Sequence, residues 1–461
     1  MVACASVEPF ESHAPPVATS ADPAALDAAS VDAMHPLRRR PEFAQLRTRP
    51  RALVEPATVD DVVALVRWAA ATRTALVPRG GGSGLMGGAA VIGPAIAVDL
   101  RRLATIHVDA DGCLVRAGAG ATLARVDAAL APHGLMLAHD PWTVGVATIG
   151  GVVATNGLGY LGARAGNVAA QLRAIEVVLA DGRVVRTPPA PARSAGLDLT
   201  RLFVGTEGTL GIVTEATLAV LPRPEERIVA AYRLSAFDDG VRIAVELRRT
   251  GVRWSCFELS ADALPPAPAT LLVVCDGIAG EARLHADRVA RAVRERGGEA
   301  RPEAEAEREW NERHAIAERW AARSRFRPAE WRADARPDQF DYAHVAVPPA
   351  GLAAVREDAH ALVRRHGLRL LEEGLWHWPE LYSIVVTGPP AAAAGVRATI
   401  DGVCRAAQDA GGTMEYCHGV GWKLAHLMPP EHGAAGLDVL RRVKAALDPA
   451  GILNPGKVLP T

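Results

Sequence analysis

Six glycines crowd into residues 75–90, "ALVPRGGGSGLMGGAA", directly after an apolar run that reads as a buried strand. Glycine inside an element costs roughly 0.5–1 kcal/mol relative to alanine, so such a cluster marks a turn or a close approach to the backbone. The stretch contains a G-x-G-x-x-G pattern at Gly82, Gly84 and Gly87. A nicotinamide-type dinucleotide fold needs a helix right after that turn and an acidic residue roughly 20 positions on. Asp99 stands at about that distance, but "GGAAVIGPAIAVDL" carries glycines, a proline and then a strand-like run, which leaves no room for the helix. No G-K-[ST] follows, so a Walker loop fails as well. Two readings remain: a flexible turn, or a nest of successive amides that binds anionic oxygens. The run Gly80–Gly84 behind Arg79 favours the phosphate cradle.

Upstream, Leu53-Val54 reads as a strand, Thr58 and Asp61 as a capping box, and Val59, Val62, Val63, Val66 and Ala70 as a helix face. "TALVP" then completes a βαβ unit. Downstream, Asp111-Gly112 and Asp181-Gly182 mark hairpins, and a helix between them ends at Gly134. Two further glycine-rich stretches, "HDPWTVGVATIGGVVATNGLGYLGARAGN" and "LFVGTEGTLGIVTEATLAVLP", imply an extended ligand lying across three loops. After Pro222-Arg223-Pro224 strand-like and helix-like segments alternate, and the rhythm repeats from "AHVAVPPAGLAAVREDAHALVRRHG". That pattern describes a second α+β domain with a long antiparallel sheet, and the tail is an amphipathic helix ended by Asp448-Pro449.

With 461 residues, two domains are expected. The formal net charge of −1 supplies no basic field, which argues against nucleic acid as a partner. Cys4, Cys113, Cys256, Cys275, Cys404 and Cys417 show no C-x-x-C spacing, so neither a disulfide framework nor a zinc knuckle is expected, and a reducing, cytoplasmic setting fits. The first 41 residues lack a signal-peptide pattern and read as a loosely ordered leader. No run of about 18 apolar residues predicts a membrane span.

Taken together and in order, "PRGGGSGLMGG", "ATIGGVVATNGLG", "GTEGTLGIVTEATL", "HGVGWK" and "DPAGILNPGK" resemble the vanillyl-alcohol-oxidase/PCMH family of FAD-linked oxidases and dehydrogenases. The nearest likeness is to the D-lactate dehydrogenase and glycolate oxidase subunit group, with alkylglycerone-phosphate synthase as a relative. The resemblance implies an α+β fold: a PCMH-type two-lobed FAD-binding domain over 42–224, a ferredoxin-like substrate cap with an antiparallel sheet over 225–435, and a segment 436–461 returning to the FAD domain. It implies a first flavin loop at Arg79, Gly80, Gly81, Gly82, Ser83, Gly84 and Leu85. A second loop matches at Pro141, Thr148, Gly151, Asn156 and Gly159, a third at Glu207, Gly211, Ile212 and Val213, and a last contact at Asn454. Ser83 replaces the histidine that tethers FAD in many relatives, so non-covalent FAD is expected.

The metal-dependent members carry H-A-G-D-G-N-x-H and a glutamate before H-G-[IV]-G. Here only His377 of that set is kept, with Ile384 and Cys417 at the other two positions, and no metal is expected. Histidine suits the proton-taking step of alcohol oxidation because its ordinary pKa lies near 6.5. In "YCHGVGWK", His418 is the leading candidate base. His377, between two tryptophans, reads equally as core or as site residue. Tyr382 could donate to a carboxylate but suits core packing better. Arg313 shares a helix face with Trp310; the resemblance implies a carboxylate-binding arginine there, and a solvated arginine is the alternative. The function expected is oxidation of a small alcohol or 2-hydroxy acid, with a small-molecule substrate, an electron acceptor (oxygen, quinone or carrier protein) and a second copy of the chain in a homodimer as partners. The alternatives are a flavin transferase without net redox, like alkylglycerone-phosphate synthase, and a non-catalytic flavin subunit of a larger complex.

Overall fold

Short runs rich in valine, alanine and leucine, separated by turn residues, build three main sheets in the computed structural model, which describes residues 14–30, 48–315 and 339–460. The first lobe is a four-stranded sheet in the order Thr19–Ser20, Ala52–Val54, Ala95–Asp99, Ala75–Arg79, parallel except for its first strand. The helix Val59–Thr72 starts at a reciprocal Thr58/Asp61 capping box and buries Val62, Leu65, Val66 and Ala69. Leu53-Val54 and "TALVP" are not neighbours, however. Ala95–Asp99 lies between them, parallel to both and buried at every position. Its four apolar residues have no polar face to give to solvent, so it takes the centre of the sheet.

The leader also differs from expectation. Within it, Thr19–Ser20 pairs with Leu53 and Val54, and the helix Pro23–Ala29 buries Ala29 among Leu53, Val77 and Val91. The rest of the expected leader, 1–13 and 31–41, lies outside the described residues.

The second lobe is antiparallel, in the order Ile106–Asp109, Leu114–Gly118, Ile212–Ala219, Leu172–Val178, Val184–Arg186. The hairpins at Asp111-Gly112 and Asp181-Gly182 are the two edge pairs of this sheet. A separate hydrophobic core fills each lobe.

The cap is built from two copies of a strand–helix–strand–strand–helix unit. The first comprises Glu226–Leu234, Phe237–Arg249, Cys256–Ala261, Ala269–Gly277 and Glu281–Arg294. The second comprises Gln339–Ala346, Leu352–Arg365, Arg369–Trp376, Leu381–Gly388 and Ala393–Asp409. They join where Cys256–Ala261 pairs with Arg369–Trp376, and Glu299–Ala300 adds an edge, giving one seven-stranded antiparallel sheet. Phe257, Leu259, Leu271 and Val273 face the helices, while Cys256, Leu272 and Val274 pack with Met136 and Leu161 of the amino-terminal domain. The period-two alternation of these strands thus serves two interfaces.

The chain end returns to the first lobe. Leu453 bridges Leu76, whose amide donates to Ile452 O and whose carbonyl accepts from the Asn454 amide, each at 2.8 Å.

Candidate functional site

One cleft is walled by all three glycine-rich stretches and by Cys417 and His418 from the segment that follows the helix Ala393–Asp409. Arg79, Gly80, Gly81, Gly82, Ser83, Gly84 and Leu85 form one side of it. The structure separates the jobs of these glycines. A Cβ at Gly80 would overlap Thr148 Oγ1 and one at Gly81 would overlap the Val146 carbonyl, so these two let the first loop pack on the second. Gly84 has nothing within 4 Å of where its Cβ would be, and leaves the cleft wall open. Arg79 turns its guanidinium to the carbonyls of Ala28 and Ala29 at the end of the helix Pro23–Ala29.

Pro141, Thr148, Gly151, Glu207, Ile212 and Val213 also line the cleft. Thr148 caps the helix Ile149–Thr155 by accepting from the Gly151 amide at 3.4 Å. Four other expected contacts sit in the framework behind the wall. Asn156 is left-handed (φ 53°) and its side chain accepts from the Ala169 amide at 3.0 Å. At Gly159 a Cβ would come within 2.7 Å of the Asp140 backbone, and Gly211 is pressed on Val177. Asn454 Nδ2 donates to Gly88 O at 2.9 Å and Glu207 O at 2.7 Å, joining the first and third loops.

His139 lines the same cleft and escaped the sequence reading. Its ring is buried, both nitrogens lack a hydrogen-bond partner among the described residues, and burial pushes its pKa down to about 4 despite Asp140 beside it. A buried imidazole with neither nitrogen satisfied calls for a polar guest. The unobstructed backbone at Gly84, the small floor residue Ala119 and this imidazole suit a flat, hydrogen-bonding dinucleotide of the FAD type.

His418, which also lines this cleft, stands in a packed polar cluster. Its side chain is 18% exposed, and its ring lies edge-on to His344 at 4.5 Å and near Tyr342 at 5.7 Å. His344 comes from the cap strand Gln339–Ala346, whose edge Thr413 and Tyr416 extend by backbone hydrogen bonds to Ala346 and His344. Glu415 Oε1 accepts from the Cys417 and His418 amides at 2.8 and 2.9 Å and lies 3.5 Å from His418 Nδ1. Burial raises the Glu415 pKa, but His418 beside it and the hydrogen bonds outweigh that and hold it at about 2. Burial, then the charge of His418, pushes His344 down to about 3. Glu415 Oε2 and His344 Nδ1 have no partner among the described residues. The donor atoms of His344, Glu415 and His418 lie within 4.8 Å of one another, so this trio has the spacing to hold a cation. Neither His344 nor Glu415 stands in a recognisable sequence motif, so this trio is a product of the fold.

Three expected site residues lie elsewhere among the described residues. His377 is fully buried; its Nε2 donates to the Gly159 carbonyl at 2.8 Å, and burial takes its pKa to about 4. Tyr382 is also fully buried, and its hydroxyl donates to Glu373 Oε2 at 3.3 Å on the helix side of the cap sheet. Arg313 bridges the domains: it holds Asp140 Oδ2 at 2.9 and 3.1 Å and lies 4.0 Å over the Trp310 ring. Each has found a protein partner, which is why none presents its polar group to the cleft.

Residues 50–188 match the family described as FAD binding domain, and residues 223–458 match the family described as FAD linked oxidases, C-terminal domain. The chain is 27% identical over 439 residues to D-lactate dehydrogenase of Archaeoglobus fulgidus, covering 88% of this chain and 91% of that protein. It is 29% identical over 441 residues to glycolate oxidase subunit GlcD of Escherichia coli K12 (90% and 85% covered). It is likewise 29% identical over 441 residues to D-2-hydroxyglutarate dehydrogenase of Xanthomonas citri pv. viticola (89% and 90% covered). Among solved structures, 4-ethylphenol oxidase from Gulosibacter chungangensis superposes with a TM-score of 0.73 at 20% identity, over 96% of this chain and 94% of that one. An alkyldihydroxyacetonephosphate synthase superposes at 0.69 and 17% identity, over 88% and 76%.

Proposed function

This chain belongs to the FAD-linked oxidase family, takes FAD as its cofactor, and from that premise we propose that it oxidises a small alcohol or 2-hydroxy acid with His418 as the base. The observation that carries the reading is that His418 and the glycine stretch line one cleft. The names of the relatives, which are lactate, glycolate and 2-hydroxyglutarate enzymes, support the substrate class.

Bound FAD supplies the hydride acceptor for the substrate carbon. The chain's own residues do the rest. The Gly80–Gly84 backbone, which lines the cleft, would hold the diphosphate, and Ser83 offers no ring nitrogen for a covalent tether. His418 takes the hydroxyl proton as the C–H bond breaks, and the ionised Glu415 at 3.5 Å stabilises the imidazolium that results. The overall oxidation would also need an acceptor of the oxygen, quinone or carrier-protein class for the substrate's two electrons. Among the described residues no helix is long and apolar enough to cross a membrane.

The test is anaerobic flavin bleaching against a panel of 2-hydroxy acids and aryl alcohols, followed by air. His418→Ala should keep bound, yellow FAD and bleach about 10²–10⁴-fold more slowly with the substrate that reduces the wild type. Unchanged bleaching removes the base from His418.

A further inference from the structure

The loop that carries His418 is held by two buried carboxylates, one from each side of the domain boundary. Inside the loop, Glu415 Oε1 takes the Cys417 and His418 amides. From the amino-terminal domain, Glu207 Oε1 takes the Val420 and Gly421 amides, both at 2.7 Å. The contact is close on every side. A Cβ at Gly419 (φ +83°) would come within 2.8 Å of Glu207 Oε1, and one at Gly421 (φ +55°) would overlap the Met86 carbonyl. That same carbonyl accepts from the Trp422 and Lys423 amides at 2.9 and 3.1 Å.

Glu207 is itself immobilised. It is left-handed (φ 50°), its amide donates to Ala154 O at 2.9 Å, and its carbonyl accepts from Asn454 Nδ2 at 2.7 Å. It therefore ties the second loop, the third loop, the chain end and the histidine loop together at one point.

We propose that Glu207 is the positioning residue for His418: its carboxylate registers the histidine loop against the FAD cleft from the domain that holds the cofactor. This rests on the reading of His418 as base. Two amides that converge on one buried carboxyl oxygen fix both the distance and the register of the loop, and an acceptor withdrawn from them leaves buried donors unsatisfied. A misplacement of about 1 Å at a reacting group can cost about 10²-fold in rate. The third-loop pattern would instead make Glu207 a cofactor contact, and the two roles separate experimentally.

The experiment compares wild type, Glu207→Ala and Glu207→Gln as holoproteins. Amide hydrogen exchange is read over residues 417–423, together with FAD affinity and the rate of anaerobic flavin reduction. The proposal expects Glu207→Ala to exchange the Val420 and Gly421 amides at least tenfold faster and to slow flavin reduction by about 10²-fold, with FAD affinity changed less than threefold. Glu207→Gln, which keeps an acceptor at the same reach, should restore most of the protection and rate. Should the alanine variant not fold, Glu207→Asp takes its place, since one methylene fewer withdraws the carboxylate from both amides. Unchanged exchange in these shortened variants overturns the anchoring, and so does FAD loss with exchange unchanged. The base assignment fails separately, if His418→Ala bleaches normally while the shortened Glu207 variants still exchange faster.

Discussion

Two polar clusters of similar composition sit on this molecule, and they are finished differently. On the helix side of the cap sheet, Glu373 accepts from Arg356 at 3.0 and 3.3 Å, pairs with His360 at 2.9 Å and accepts from Tyr382 at 3.3 Å, while Arg356 also holds Asp238. Both Glu373 oxygens are used. Around the cleft, His139 in its wall has two nitrogens without partners, and His344 and Glu415 beside His418 have one such atom each, among the described residues. Buried polar groups that are satisfied rigidify a fold, and those left open are waiting for something the chain does not supply. The same kinds of side chain, a glutamate with histidine and tyrosine around it, are thus closed on one another in one place and left partly open in the other.

The contrast breaks most visibly at Glu373. Burial alone would raise its pKa, but His360 and Arg356 outweigh that and hold it below the ordinary value. Glu373→Ala should destabilise the protein by about 3–5 kcal/mol, since it leaves a buried guanidinium underpaired, while FAD affinity in the folded fraction stays the same. Denaturant unfolding and flavin titration check the two halves. A change below about 1 kcal/mol would mean that the network is not what holds the two halves of the cap together.

Glu207 sharpens the comparison through pH. Burial, opposed by the Gly421 and Val420 amides, raises its pKa from 4.5 to about 7, so the folded chain holds a proton that the unfolded chain releases. The stability linked to that proton is full below about pH 4.5 and is lost as pH rises through about 7. Relative to Glu207→Gln, the wild type should therefore lose roughly 3 kcal/mol across that window. Parallel pH–stability curves for the two proteins would show that burial does not perturb this carboxyl.

The smallest effect belongs to His139. Replacing it with phenylalanine removes an unsatisfied group, so stability without cofactor should change by less than about 1 kcal/mol. FAD affinity should drop about tenfold, the worth of one hydrogen bond to a guest. Equal affinity in both proteins would leave the two open nitrogens unexplained.

Local chemistry was readable wherever neighbours in sequence are neighbours in space. The Thr58/Asp61 capping box, the hairpins at Asp111-Gly112 and Asp181-Gly182, the repeated rhythm of the cap and the three glycine stretches all act within a few residues. That His418 would face the glycine-rich loops was legible from the short loop motif in which it is embedded. Other assignments needed partners from far along the chain. His377 finds the carbonyl of Gly159, 218 positions away, and Arg313 finds Asp140, 173 positions away. Ala95–Asp99 takes the centre of its sheet by pairing with two strands that both precede it in the chain.

From the sequence alone came the kind of ligand and the loops that would meet it, because glycine patterns, caps and turns are constraints on consecutive backbone. Which polar side chains remain open to that ligand was settled only in three dimensions. A side chain's availability depends on whether the packed chain brings it a partner, and for Tyr382, Arg313, His139 and Glu207 that partner, or its absence, is a property of the whole fold.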